Sequence, residues 1–377
     1  MKVAFFQPYL ANWRIEFLDY FIQKTSFDVM VYDGGFGGKH DKKSTSGNSS
    51  SFDCKKLFSA SLNLNYKKQP YPIFFSPALF FHLVKDRPDI VITEGEINFI
   101  NNISIQFYCW LFSKKFVWWS LGKVRTRRKN IINKLFDPII KFQIKGSSCV
   151  MARNTYAKSY YLENNLKKPD DIIVAPNSMN QHKATKEISH SILDELSSIK
   201  EDSQVILYVG ALTKEKRSID LLESFNLISK NRSDLKLWFV GEGEERHNLE
   251  TFIISQGLQK SVTLFGKVFD GVGNYFTMAD IVVVPGLGGL VINHAMIFGC
   301  PVVSRLADGT ELDLVIDGET GFLVNDYSNV TLATYIEIAL EKELNCKMSK
   351  GAKSLIENTW NIDIMYEQVN KCILHSK

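Results

Sequence analysis

Residues 280–324, DIVVVPGLGGLVINHAMIFGCPVVSRLADGTELDLVIDGETGFLV, gather the types and spacings that can do chemistry. An apolar run ends at Pro285, four loop residues follow, and Gly288 and Gly289 lead into an expected helix at Leu290. Glycines there let a ligand approach the backbone, and the free amides of a helix N-terminus point at it, which is the geometry that holds phosphate. A diphosphate fits such a turn; a tight turn with no ligand is the plain alternative. A second stretch combines Lys114, Lys115, Lys123, Arg125, Arg127, Arg128, Lys129, Lys134, Lys141 and Lys145 with Trp110, Phe112, Trp118, Trp119, Phe136 and Phe142. Cations interleaved with aromatic rings fit a membrane surface, or else an amphipathic helix with solvated charges.

These residues need a scaffold, and the pattern of the chain supplies one. In the first half, apolar runs predict strands at residues 3–6, 27–32, 89–93, 115–119, 149–152 and 172–175, with a helix in RIEFLDYFIQ after the first. DGGFGGKHDKKSTSGNSSS cannot pack a core and reads as a mobile surface loop. The second half alternates more cleanly: QVILYVG, SIDLLESFNLIS, LKLWFVG, ERHNLETFIISQG, VTLFG, DIVVVPG, LVINHAMIFG and PVVS. Strands alternating with helices predict an α/β fold with two doubly wound parallel sheets in tandem. Ligands of such sheets bind at the carboxyl ends of the strands. That rule singles out Glu94 after DIVIT, and Ser120, Gly122 and Lys123 after KFVWW. TWNIDIMYEQVNKCI reads as a last helix that packs back on the first domain.

The 377 residues suit two domains, and their composition is that of a globular chain. Cys54, Cys109, Cys149, Cys300, Cys346 and Cys372 are scattered, which excludes a zinc cluster and a disulfide framework. Neither a signal peptide nor a spanning run is present, so the expected location is the cytoplasm. The net charge of +4 conceals an asymmetry: residues 1–180 hold 26 Lys+Arg against 14 Asp+Glu, the remainder 19 against 27. The basic half is expected to meet something anionic.

With its spacing, the stretch at 280–324 resembles the retaining GT-B glycosyltransferases of family GT4. Pro285, Gly289, Leu290, Ala295, Met296, Gly299, Pro301, Val302 and Val303 match the family's strand, loop and helix, and Gly309, Glu311, Asp317, Gly318, Gly321, Leu323 and Val324 its next block. VGALTKEKR, WFVGEGEER and VTLFGKV resemble three earlier blocks in the same order, and VAPNSMN the interdomain linker. The resemblance implies the GT-B architecture, two Rossmann-like domains facing across a cleft. Residues 1–178 would bind the acceptor, with the helix at 359–377 packed back on them, and residues 179–358 the nucleotide-sugar donor.

On this resemblance Gly210, Lys216, Arg217, Gly241, Gly243, Phe265, Gly266, Lys267, Gly288, Gly289, Leu290, Val291 and His294 are expected around the donor. Gln7, Tyr9, Asn12, Trp13, Arg14, Glu94 and Lys123 are expected on the acceptor side. Lys216, His294 and Glu311 are the catalytic candidates, and no general base is assigned. Glu311 either meets the sugar or caps the following turn. Three departures stand out: Gly286 and His294 occupy the positions of the family's two glutamates, and Ala211 that of an arginine. His294 retains one donor and one acceptor for a ribose hydroxyl, unless its ring simply packs on the helix.

The expected function is sugar transfer from a nucleotide diphosphate to a glycan or lipid-linked acceptor in bacterial surface polysaccharide synthesis: O-antigen, capsule or lipopolysaccharide. The expectation includes no metal, no other cofactor, no nucleic acid, and peripheral contact with the inner membrane. A degenerate, non-catalytic GT-B binding protein is the alternative, motivated by the two missing carboxylates.

Overall fold

A computed structural model describes residues 1–35, 52–66, 69–122 and 131–377. The loop expected to be mobile falls mostly on residues 36–51, and Lys123, Arg125, Arg127, Arg128 and Lys129 on 123–130, both outside the described residues. The chain divides into two compact units. One contains the described residues up to Pro176 together with Asp363–Lys377, the other Asn177–Ile362.

The first unit runs β1 (Lys2–Gln7), α1 (Asn12–Lys24), β2 (Asp28–Asp33), β3 (Cys54–Lys56), β4 (Ala60–Tyr66), β5 (Gln69–Phe75), α2 (Leu79–Asp86), β6 (Ile90–Glu94), α3 (Phe99–Leu111), β7 (Lys115–Ser120), α4 (Ile131–Gly146), β8 (Cys149–Ala152), α5 (Thr155–Glu163) and β9 (Ile172–Val174). Its parallel sheet has the order β3-β2-β1-β6-β7-β8-β9. Val3, Ala4, Phe5 and Phe6 are fully buried, as a strand covered by helices on both faces requires. The antiparallel pair β4–β5 is not among the strands expected from sequence, and its second strand holds Pro70 and Pro72. They lie two residues apart and so share one edge, where a hairpin needs no amide donor.

The second unit runs α6 (Gln181–Ala184), α7 (His190–Lys200), β10 (Gln204–Val209), α8 (Ser218–Ser229), β11 (Leu235–Val240), α9 (Arg246–Ser255), β12 (Val262–Gly266), α10 (Gly273–Met278), β13 (Ile281–Val284), α11 (Leu290–Ile297), β14 (Val302–Arg305), α12 (Glu311–Leu314), β15 (Gly321–Val324), α13 (Asn329–Ala339) and α14 (Lys342–Asn358). Its sheet, β12-β11-β10-β13-β14-β15, is again parallel. Both sheets therefore wind outward in two directions from their first strand, with switch points between β1 and β6 and between β10 and β13.

The last helix, α15 (Ile362–His375), completes the first unit. Asp363 accepts from Lys24 Nζ at 2.7 Å and from the Tyr20 hydroxyl. Tyr366 stacks at a tilt on Phe21, with centroids 5.4 Å apart, and the buried Cys372 sulfur lies 2.7 Å from that of Cys149.

Candidate functional site

At the switch point of the second sheet the loops leaving β10 and β13 meet. The first contains a 3-10 turn at Lys214–Lys216. Leu287 N donates to the Glu215 carbonyl at 3.3 Å, and the Lys216 ammonium donates to the Leu287 carbonyl. A Cβ on Gly286 would stand 2.4 Å from the Glu215 carbonyl oxygen and 2.9 Å from the Lys216 backbone. Position 286 holds no side chain because that backbone fills the space.

Gly289, with φ +67°, turns the chain into α11. A Cβ there would meet nothing within 4 Å, so the volume before the helix start is open. The first-turn amides of α11 have no intrahelical acceptor. Burial lowers the pKa of Lys216, while Asp308 opposes the shift. A half-buried ammonium and a helix start thus form one electropositive corner, suited to phosphate oxygens. Leu290 and Val291 in the first turn are half-buried.

The neighbouring ends of β10, β11 and β12 pack closely on one another. A Cβ on Gly241 would lie 1.8 Å from the Gly210 carbonyl oxygen, and one on Gly243 2.3 Å from that of Leu212. Glycine permits the exchange by which Leu212 N donates to Glu242 O and Glu245 N to Leu212 O, each at 2.9 Å. Gly266, with φ +77°, ends β12 and accepts from Gly241 N at 2.8 Å. Phe265 packs edge-on against Trp238 and Tyr275, at 5.3 and 4.9 Å, and Lys267 lies over the Phe269 ring at 4.5 Å.

Three candidate residues are engaged within the protein. Arg217 Nε donates to Asp220 at 2.8 Å, and its guanidinium covers Tyr327 at 4.2 Å. Arg305, which sequence reading passed over, is buried at the end of β14 and shares Asp220 at 2.5 Å. Glu311 is buried, and its carboxylate accepts from Ala307 N at 2.6 Å and from Gly309 N at 3.0 Å. Burial raises its pKa and these amides oppose the rise. Its carboxylate shapes the loop after β14. His294 lies in the last turn of α11, not the first, with its ring 4.8 Å from that of Phe276 and 5.8 Å from that of Phe298. Burial lowers its pKa to about 4, so the imidazole is neutral near pH 7.

In the first unit, Gln7 and Glu94 close adjacent strands, Trp119 and Ser120 end β7, and Arg153 follows β8. Arg14, on α1, is buried with its guanidinium 3.7 Å from the Trp119 ring and 4.3 Å from the Trp13 ring. Desolvation depresses its pKa well below the ordinary value; Arg153 adds to the shift and Tyr9 opposes it. Glu94 forms a close ion pair with Arg153 and stands 3.9 Å from Arg14. The Ser120 hydroxyl bonds Glu96. Tyr9 and Asn12 are exposed; Lys123 lies outside the described residues.

Elsewhere on this unit Phe81, Trp110, Leu135 and Phe142, 70–76% exposed, project from α2, α3 and α4. Lys115, Lys134 and Lys145 are exposed nearby in sequence, while Lys141 pairs with Asp137 and Lys114 with Asp89. Trp118 and Trp119, counted from sequence in the aromatic face, are instead fully buried, because β7 is a central strand covered on both sides. Among the described residues no helix is long and apolar enough to cross a membrane.

Residues 192–359 match the family described as glycosyl transferases group 1. Alpha-D-kanosaminyltransferase of Streptomyces kanamyceticus is 26% identical over 174 residues, 45% of this chain and 45% of that protein. The capsular polysaccharide biosynthesis glycosyltransferase CapM of Staphylococcus aureus is 28% identical over 174 residues, with the same two shares. These alignments span somewhat under half the length of either relative. The crystal structure of Anabaena HepE in complex with UDP is 16% identical, covers 99% of this chain and 100% of its own, and has a TM-score of 0.76. The fold is therefore GT-B, with two Rossmann-like doubly wound domains, the second of which contains the residues that match the glycosyl transferases group 1 family.

Proposed function

We propose that the chain is a retaining glycosyltransferase that takes a sugar from a nucleotide diphosphate and passes it to a glycan or lipid-linked acceptor in bacterial surface polysaccharide synthesis. The observation that carries this reading is the corner made by Lys216 and the start of α11, with open space before Gly289. Loss of a diphosphate leaving group builds negative charge, which an ammonium and preorganised amides stabilise most in the transition state. A bound metal is not needed for that neutralisation. A UDP complex in a protein of the same fold, and capsule synthesis in a relative of the second domain, support the donor class and the pathway.

Work at the inner face of the cytoplasmic membrane belongs to the same proposal. Its support is the exposed ring and leucine face of α2–α4 beside lysines, which complements an anionic lipid surface.

The test is a calorimetric and thermal-shift screen against UDP, GDP, CMP and dTDP sugars, with and without EDTA. We expect stabilisation by one donor class, unaffected by EDTA. Lys216→Ala is expected to weaken that binding roughly ten- to a hundredfold, the loss of about 1.5–3 kcal/mol for a hydrogen bond to a charged group. Absence of binding to every donor would favour a non-catalytic protein of the same fold.

A further inference from the structure

At the carboxyl ends of β1, β6 and β7 the first unit buries a guanidinium that the described protein leaves unsatisfied. Arg14 is 1% exposed, and among the described residues its Nε, Nη1 and Nη2 have no hydrogen-bond partner. The Glu94 oxygen 3.9 Å from Nη2 is beyond hydrogen-bond reach and is already held by Arg153. Buried charges ordinarily keep both a counter-charge and hydrogen-bond partners, so an orphan of this kind points to a missing acceptor. Two further buried donors at the same strand ends, Gln7 Nε2 and Trp119 Nε1, are also unpartnered among the described residues. Every one of these atoms is a nitrogen donor, and the chemistry that answers them is an oxygen acceptor.

The placement favours a ligand over a structural accident. Gln7 and Glu94 flank the β1–β6 switch point, where an open parallel sheet receives its ligand. Trp119 and Trp13 lie against the guanidinium and restrain it, and its unpartnered nitrogens form a flat fork. Such a fork matches the two oxygens of a carboxylate or phosphate, and a stacked arginine gives up little rotamer freedom on binding one.

We infer that Arg14, with Gln7 and Trp119 beside it, binds an oxyanion, a carboxylate or phosphate group carried by the acceptor substrate. Calling the ligand an acceptor rests on the transferase reading; the anion site itself does not.

Calorimetry on the full chain tests this with methyl β-D-glucuronide, glucose 6-phosphate and the neutral methyl β-D-glucoside, on wild type, Arg14→Lys and Lys216→Ala, each saturated with UDP and without it. At least one anionic sugar is expected to bind ten times or more tightly than the glucoside, and which one does so separates carboxylate from phosphate. Arg14→Lys, which keeps the charge and loses the fork, is expected to weaken it at least tenfold, while Lys216→Ala leaves it unchanged. Should Arg14→Lys lose its cooperative thermal transition, Trp119→Phe, which removes one donor and keeps an aromatic ring, is read instead, with weakening expected. Equal affinity for the glucoside, binding indifferent to these first-unit variants, or no anion binding at all by wild type would overturn the inference. Failure of UDP to bind would count against the transferase reading alone, since the anion titration without UDP still decides the site.

Discussion

Gly286 and Lys216 explain each other. The backbone of residues 215–216 lies where a side chain at 286 would have to be, and from there the Lys216 ammonium reaches the Leu287 carbonyl. A carboxylate at 286 would require this loop to move, taking the cation with it. Gly286→Ala is accordingly expected to destabilise the protein by about 1–3 kcal/mol, as overpacking does, measurable as a lower denaturation midpoint. Gly286→Glu is expected to weaken UDP binding, read by the same calorimetry, because it displaces Lys216. If Gly286→Ala proves neutral, the loop yields readily and the steric account fails.

Three strands of the second sheet, β10, β11 and β13, were legible because each is a largely buried apolar run that stops at Gly or Pro. β10 ends before Gly210, β11 before Gly241 and β13 before Pro285, which locates the ligand loops without any knowledge of pairing. Contacts between distant segments were not legible. The resemblance puts Arg14 on the acceptor side, but the amphipathic pattern it opens does not reveal its burial against Trp119, far along the chain. Glu215 likewise lies well upstream of Gly286. His294 shows the same limit at the seam of α10 and α11, since the rings of Phe276 and Phe298 decide its environment. Its depressed pKa of about 4 carries a sign. Between about pH 6.5, the ordinary value, and pH 4 the unfolded chain binds the proton and the folded chain does not, so stability falls as pH falls through that window. His294→Leu is expected to flatten this part of a melting-temperature profile against pH; an unchanged slope would mean the imidazole titrates freely.

At the scale of the whole molecule, charge and apolar surface favour the same partner. The excess of cations in residues 1–180 accompanies exposed rings on α2, α3 and α4, a combination that binds anionic bilayers and is weakened by salt. We expect sedimentation with vesicles containing anionic lipid, little with neutral vesicles, and loss of binding when Trp110 and Phe142 are both changed to Ala; equal sedimentation by that variant would move the contact elsewhere. The return of α15 to the first unit has a different consequence. The chain enters the second unit at Asn177 and leaves it at Ile362, so along the chain this domain is a guest inserted in the sequence of the first. A guest can be excised whole: residues 177–362 are expected to melt cooperatively alone. The host cut after Pro176 loses the helix that covers Phe21 and Cys149, and is expected to expose that apolar seam to a hydrophobic dye until a peptide of residues 359–377 is added back in trans.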